Sequence, residues 1–310
     1  MIAEFLIMAA VAAAPVEREI TAPGPQGSLA GTLTDAGKGT PVVLIIPGSG
    51  PTDRDGNNPL GVTAAPYRML AEGLAKQGVS SIRTDKRGMF GSKAAIPDAN
   101  KVTIADYAAD AHAWVKSAQA ATGVKCVWVL GHSEGSLVAL TAGQKPEGIC
   151  GVISVSGPGR KLGTVMRDQL KGNPANAPIL QPALAALDSL EAGNPVDAAT
   201  LPAPLQPLFN PAVQPFVMNL LAQDPPKLAA GLTVPYLIVQ GDKDIQVSVE
   251  DAKLLAAGQP KAKLAVLPGV NHVLKPVLSD DRAANMAAYG DASLPIAPSV
   301  VDEIASFVKR

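Results

Sequence analysis

Short runs rich in β-branched residues alternate with longer Ala- and Leu-rich stretches along most of this chain. PVVLIIPG (41–48), VSSIRTD (79–85), CVWVLGHS (126–133), GVISVSG (151–157), VPYLIVQGD (234–242) and AKLAVLPG (262–269) read as strands buried on both faces. Between them, residues 67–77, 104–120, 249–257 and 300–309 carry the pattern of helices. That alternation is what a parallel sheet with crossover helices requires. Nearer the N-terminus, EREITAP and GSLAGTLTD flank a Gly/Pro/Gln turn, as expected of an antiparallel hairpin at the sheet edge. The expected fold class is therefore α/β, with eight strands, most of them parallel, flanked by helices.

The rhythm breaks between residues 158 and 233. Amphipathic pieces at 163–171, 182–192 and 213–222 are separated by many prolines and by Gly-Asn-Pro at both 172 and 193. Proline and glycine at such density end strands and helices alike, so this stretch predicts an inserted helical lid. The core is then formed by 18–157 and 234–310. Leu205, Leu208, Phe209, Phe216, Val217 and Met218 of the insertion either line a greasy pocket or cement the lid to the core, the second being the more economical reading.

Residues 1–14, MIAEFLIMAAVAAA, are apolar and end in small residues before Pro15. This resembles a short secretory leader, giving an expected extension over 1–17 and a periplasmic or secreted location, although the basic start of such a leader is missing. The competing reading makes it part of a cytoplasmic chain. No other stretch has the ~20 uninterrupted apolar residues of a spanning helix, so no integral membrane association is expected. The formal net charge of -1 and an aromatic content of 4% leave neither the basic stripe nor the stacking platform that nucleic-acid binding uses. Cys126 and Cys150 each open an apolar run; they form either a disulfide across neighbouring strands or two buried thiols.

Candidate chemistry centres on GHSEG, residues 131–135, placed between the strand CVWVL and the helical run SLVALTAGQ. On such a strand–turn–helix, Ser133 is raised on a strained bend, and the amide of Glu134 points into the same space. A serine hydroxyl needs a base to take its proton. Of three histidines, His132 cannot fold back onto its neighbour, and His112 falls inside a helix. His272, in PGVNHVL past the last strand, is the candidate base. GDKD supplies Asp242 and Asp244; Asp244 lies deeper in its loop and is the candidate acid, while Asp242 holds the turn. Three scattered histidines and two cysteines offer no ligand cluster, so neither a metal nor another cofactor is expected.

PGSGPTDRDGN (47–57), RTDKRGMFGS (83–92), GHSEG, GDKD and PGVNH together resemble bacterial α/β-hydrolases of the serine aminopeptidase-like group, from about residue 18 onward and least in the lid. The resemblance implies the α/β-hydrolase fold and a second oxyanion amide from the loop after the first central strand. Pro47 and Gly48 stand where His and Gly are common, which puts that donor at Ser49, with Gly50 as the alternative. Arg54 and Arg87 are expected to brace their loops; gripping a substrate carboxylate is the second reading of each. The expected activity is ester hydrolysis on a small molecule through an acyl-enzyme. Peptide or amide cleavage is the runner-up, and a non-catalytic binding module is a remoter alternative. No feature of the sequence specifies an oligomeric state.

Overall fold

The computed structural model describes residues 15–310. The expected leader lies outside the described residues as far as residue 14; Val16 and Glu17 belong to the first strand.

Eight strands form one sheet: β1 (Val16–Pro23), β2 (Ser28–Asp35), β3 (Val42–Ile46), β4 (Ser80–Thr84), β5 (Val127–His132), β6 (Ile149–Val155), β7 (Tyr236–Gly241) and β8 (Lys263–Leu267). Their spatial order is β1-β2-β4-β3-β5-β6-β7-β8. β1 pairs antiparallel with β2, and β2 with β4; from β4 to β8 every pairing is parallel. The helices are α1 (Pro66–Lys76), α2 (Ile104–Thr122), α3 (Glu134–Ala142), α4 (Leu162–Lys171), α5 (Leu180–Glu191), α6 (Gln214–Leu221), α7 (Pro225–Ala230), α8 (Val249–Gly258), α9 (Arg282–Gly290) and α10 (Pro298–Val308). α7 and α9 have no counterpart in the sequence reading. Each is short, and α7 begins Pro-Pro, so periodicity over so few residues carries little signal.

The apolar strands inside the sheet have the burial they imply; β8, at the sheet edge, does not, and leaves Val266 exposed. On β3, Val42, Leu44 and Ile46 join the core against α2 and α3, while Val43 and Ile45 join the core against α1 and α10. The segment between β6 and β7 builds a separate small core from α5, α6 and the connecting turns, around Leu187, Leu205, Phe209 and Val217. Phe216 instead packs edge-on against Tyr107 of α2, and Leu208 is exposed. The segment also reaches the main core, through Leu220 of α6 and Ala229 of α7.

Cys126, just before β5, and Cys150, in β6, are joined as a disulfide with a Cα–Cα distance of 5.1 Å. It ties two parallel neighbours together at the ends opposite the bend at Ser133, the elbow between β5 and α3. Closing a loop of 24 residues restricts the unfolded chain by an amount worth roughly 3 kcal/mol. Cys126→Ala/Cys150→Ala should lose about that much in a urea titration; a loss below about 0.5 kcal/mol would mean the crosslink adds nothing that the strand pairing lacks.

Candidate active site

β5 runs into α3 through a single residue, Ser133, at φ 55° and ψ -123°. This non-glycine conformation costs of order 1–3 kcal/mol and must be imposed by its surroundings. The glycines on either side show how. A Cβ on Gly131 would stand 1.9 Å from Gly135 O, and one on Gly135 would stand 2.5 Å from Ile46 O. α3 therefore starts pressed against the backbone ends of β3 and β5. Ser133 N–H donates to Val155 O at 2.9 Å, pinning the bend to β6.

Asp244 and His272 come from the loops after β7 and β8. His272 Nδ1 and Asp244 Oδ2 are 2.8 Å apart. Burial works to raise the Asp244 carboxyl, but the His272 charge and hydrogen bond, with the amides of Val247 and Gln246, hold it below its ordinary value. Those amides donate to Oδ1 at 2.9 and 2.8 Å, and Gln240 Nε2 reaches Oδ2 at 3.2 Å. A carboxylate can only accept, so Nδ1 carries a proton; in the neutral form of the ring, Nε2 then keeps its lone pair. Asp242 takes a different part: its Oδ1 accepts from the Gly269 amide at 2.6 Å, bracing the β7 and β8 loops against each other.

Ser133, His272 and Ser49 line one cleft of about 110 Å³, together with Tyr67, Gln246 and Tyr289 among others. The Ser133 hydroxyl and the His272 imidazole thus face a common space, although no hydrogen bond joins them in this structure. Ser49 lines this cleft; Glu134 does not, but it is the first residue of α3, where the helix dipole favours negative charge. The Gly48 amide is already committed, donating to Tyr67 Oη at 3.0 Å. Arg54 and Arg87 are absent from the cleft lining. Arg54 pairs with Asp85 and Glu19, and Arg87 makes a two-pronged contact with Asp110. Among the described residues, no group of three or more His, Cys, Asp or Glu side chains could hold a metal ion. No helix among them is long and apolar enough to cross a membrane.

Three residues that the motifs did not single out complete the surroundings. His132 is buried, with Nε2 2.8 Å from His272 O and Nδ1 2.8 Å from Tyr67 Oη. Burial first, then the neighbouring His272 ring, pushes its pKa down to about 3. A neutral ring with one nitrogen on a carbonyl has a single workable tautomer: Nε2–H donates to His272 O, and Tyr67 O–H donates to Nδ1. A directed chain thus runs from the Gly48 amide through Tyr67 and His132 to the His272 backbone. Lys86, the third, is buried beneath the elbow. Its Nζ donates to Gly48 O at 2.6 Å, with Glu134 Oε1 at 3.8 Å. Burial lowers the Lys86 pKa and raises that of Glu134, and each charge opposes the other's shift. The sequence held one hint of this, a lysine placed just past a buried strand at the edge where the elbow lies.

His132 makes stability depend on pH in a definite direction. Its pKa rises from about 3 in the fold to the ordinary 6.5 on unfolding, so between these values the unfolded chain binds the extra proton. Its contribution is complete above pH 6.5 and falls as pH drops toward 3, by up to about 1.4 kcal/mol per unit. Urea titrations at pH 7, 6 and 5 should find the stability gap between wild type and His132→Gln shrinking on acidification. A gap independent of pH would mean that the ring titrates alike in both states.

The model of the alpha/beta hydrolase fold family matches residues 41–180, which span the loop after β3, the bend at Ser133 and β6. Esterase EstD of Thermotoga maritima is 28% identical over 307 residues, covering 95% of this chain and 68% of that protein. Among solved structures, the esterase Pf2001 of Pyrococcus furiosus superposes with a TM-score of 0.58 at 18% identity, covering 96% of this chain and 93% of that one. The α/β hydrolase GrgF of Penicillium sp. gives a TM-score of 0.61 at 18% identity, with 95% and 98% covered. At these identities the solved structures speak to the fold alone. Strand order, family match and superpositions agree that this chain has the α/β-hydrolase fold.

Proposed function

We propose that the protein hydrolyses carboxylic esters through an acyl-enzyme, with Ser133 as nucleophile, His272 as base and Asp244 as the acid that orients it. Ser133 Oγ adds to the ester carbonyl as its proton passes to His272 Nε2. The amides of Ser49 and Glu134 receive the developing oxyanion. Collapse expels the alcohol, which takes the proton from His272. Water, activated by the same imidazole, then releases the acid and restores Ser133. The observation that carries this reading is the 2.8 Å Asp244–His272 hydrogen bond, which engages Nδ1 and leaves Nε2 as the ring nitrogen available to Ser133 in the cleft that Ser133 and His272 both line.

Two observations favour esters over peptides. A site for an N-terminal ammonium needs a free carboxylate, but Glu134 is buried beside Lys86, and Glu191 pairs with Arg167 at 2.7 Å. The relative that aligns over nearly the whole chain is named an esterase. We read the helical segment 158–233 as a lid over this edge of the sheet, because Gln169 of α4 donates to Gln246 O at 3.0 Å and Gln246 lines the cleft. A cleft of about 110 Å³ is small beside the ~300–1,000 Å³ of drug-sized pockets, which favours short acyl groups.

On p-nitrophenyl esters of graded length, kcat/KM should be greatest for the shortest acyl chains. Ser133→Ala should cut kcat by at least roughly 10⁴-fold with an unchanged melting temperature. A fluorophosphonate should label the wild type and leave that variant unlabelled. Undiminished turnover by Ser133→Ala would remove the nucleophile assignment, and faster cleavage of amino-acid anilides than of esters would move the reading to a peptidase.

A further inference from the structure

The peptide between Gly48 and Ser49 lies in an irregular loop, where nothing in the local backbone compels its orientation. A trans peptide carries its C=O and N–H on opposite edges of one plane. Fixing Gly48 O therefore fixes where the Ser49 amide points. The alternative is a flip of that plane, which the freedom of glycine makes accessible in such loops. A flipped plane would present a carbonyl oxygen, rather than an N–H, to a developing oxyanion.

Gly48 is held at both of its polar atoms by side chains. Its N–H donates to Tyr67 Oη at 3.0 Å, and its carbonyl accepts from Lys86 Nζ at 2.6 Å. Lys86 is itself held. Its ammonium lies 3.8 Å from Glu134 Oε1 and 5.8 Å from the centre of the Tyr107 ring, and its side chain is 5% exposed. A flip would strip a buried ammonium of its shortest contact, and a charge-assisted bond lost without water to replace it is costly.

We propose that Lys86 is a positioning residue for the oxyanion site: by gripping Gly48 O it keeps the Ser49 amide aimed into the cleft. Its charge also polarises the same peptide, making that N–H a stronger donor. Glu134 takes part twice, through its amide at the start of α3 and through the carboxylate that balances Lys86. This inference rests on the esterase reading above.

The competing view makes Lys86 only a counter-ion for Glu134, and the test separates the two. Lys86→Met alone leaves a buried carboxylate unbalanced and should lose stability as well as activity. Lys86→Met/Glu134→Gln leaves neither of this pair charged, so its melting temperature should return to within a few degrees of wild type. If Lys86 acts through Gly48 O, the double variant still loses roughly 10- to 100-fold in kcat, part of the loss seen when an oxyanion donor is removed, with KM within about threefold. Inhibition by a trifluoromethyl ketone, whose Ser133 adduct carries the oxyanion, should weaken by a similar factor. A stable double variant with kcat within about threefold of wild type and undiminished ketone inhibition would overturn the inference. Wild type is assayed first with Ser133→Ala as control. Absence of Ser133-dependent turnover there would sink the esterase reading itself, an outcome distinct from a failure of Lys86.

Discussion

The close approach of α3 to the backbone of β3 and β5 is the constraint on which the rest of the site depends. With no room for a Cβ at Gly131 or Gly135, the chain must leave the strand and enter the helix within one residue. Ser133 absorbs that change at a positive φ. The same geometry starts α3 at Glu134, so the first free amide of the helix stands immediately beside the hydroxyl. Hydroxyl and amide are thus two outcomes of one packing decision, and their spacing does not depend on a flexible loop.

A second layer of order comes from buried polar groups that cannot find water. His132, Tyr67 and Lys86 are each nearly enclosed, and each has its polar atoms directed at the backbone of a loop that would otherwise be free to move. In such surroundings an unpaired donor or acceptor costs about 1–3 kcal/mol, so the loops inherit the rigidity of the side chains that hold them. The two arginines beside the site act on the same principle farther out. Arg54 secures the loop after β3 to Asp85, and Arg87 fastens the loop after β4 to α2. Neither has its guanidinium free to meet a ligand, since both are spent on carboxylates of the chain itself.

Much of this protein was legible from its residues. Unbroken β-branched runs separated by helical stretches imply a mostly parallel sheet, because only strands covered on both faces can be apolar throughout, and the described sheet has that order. GHSEG between a strand and a helix located the elbow, and GDKD with PGVNH located the loops that supply Asp244 and His272. Depth in the loop already favoured Asp244 over Asp242 as the acid; the fold adds the partners, the Gly269 amide for Asp242 and the imidazole for Asp244. The two cysteines could equally have been thiols until β5 and β6 were seen to be neighbours.

What the sequence determined by itself was local: where strands and helices form, and which residue types stand at strand ends, since periodicity and turn chemistry act over a few neighbours. What only the tertiary structure decided was which groups meet across large separations. His132 is 140 positions from the carbonyl it holds, and Lys86 is 38 from the one it grips. No local pattern encodes such pairings, because they arise from the side-by-side order of strands that are far apart in the chain. Burial then turns an unremarkable histidine and lysine into the groups that hold the loops around Ser133.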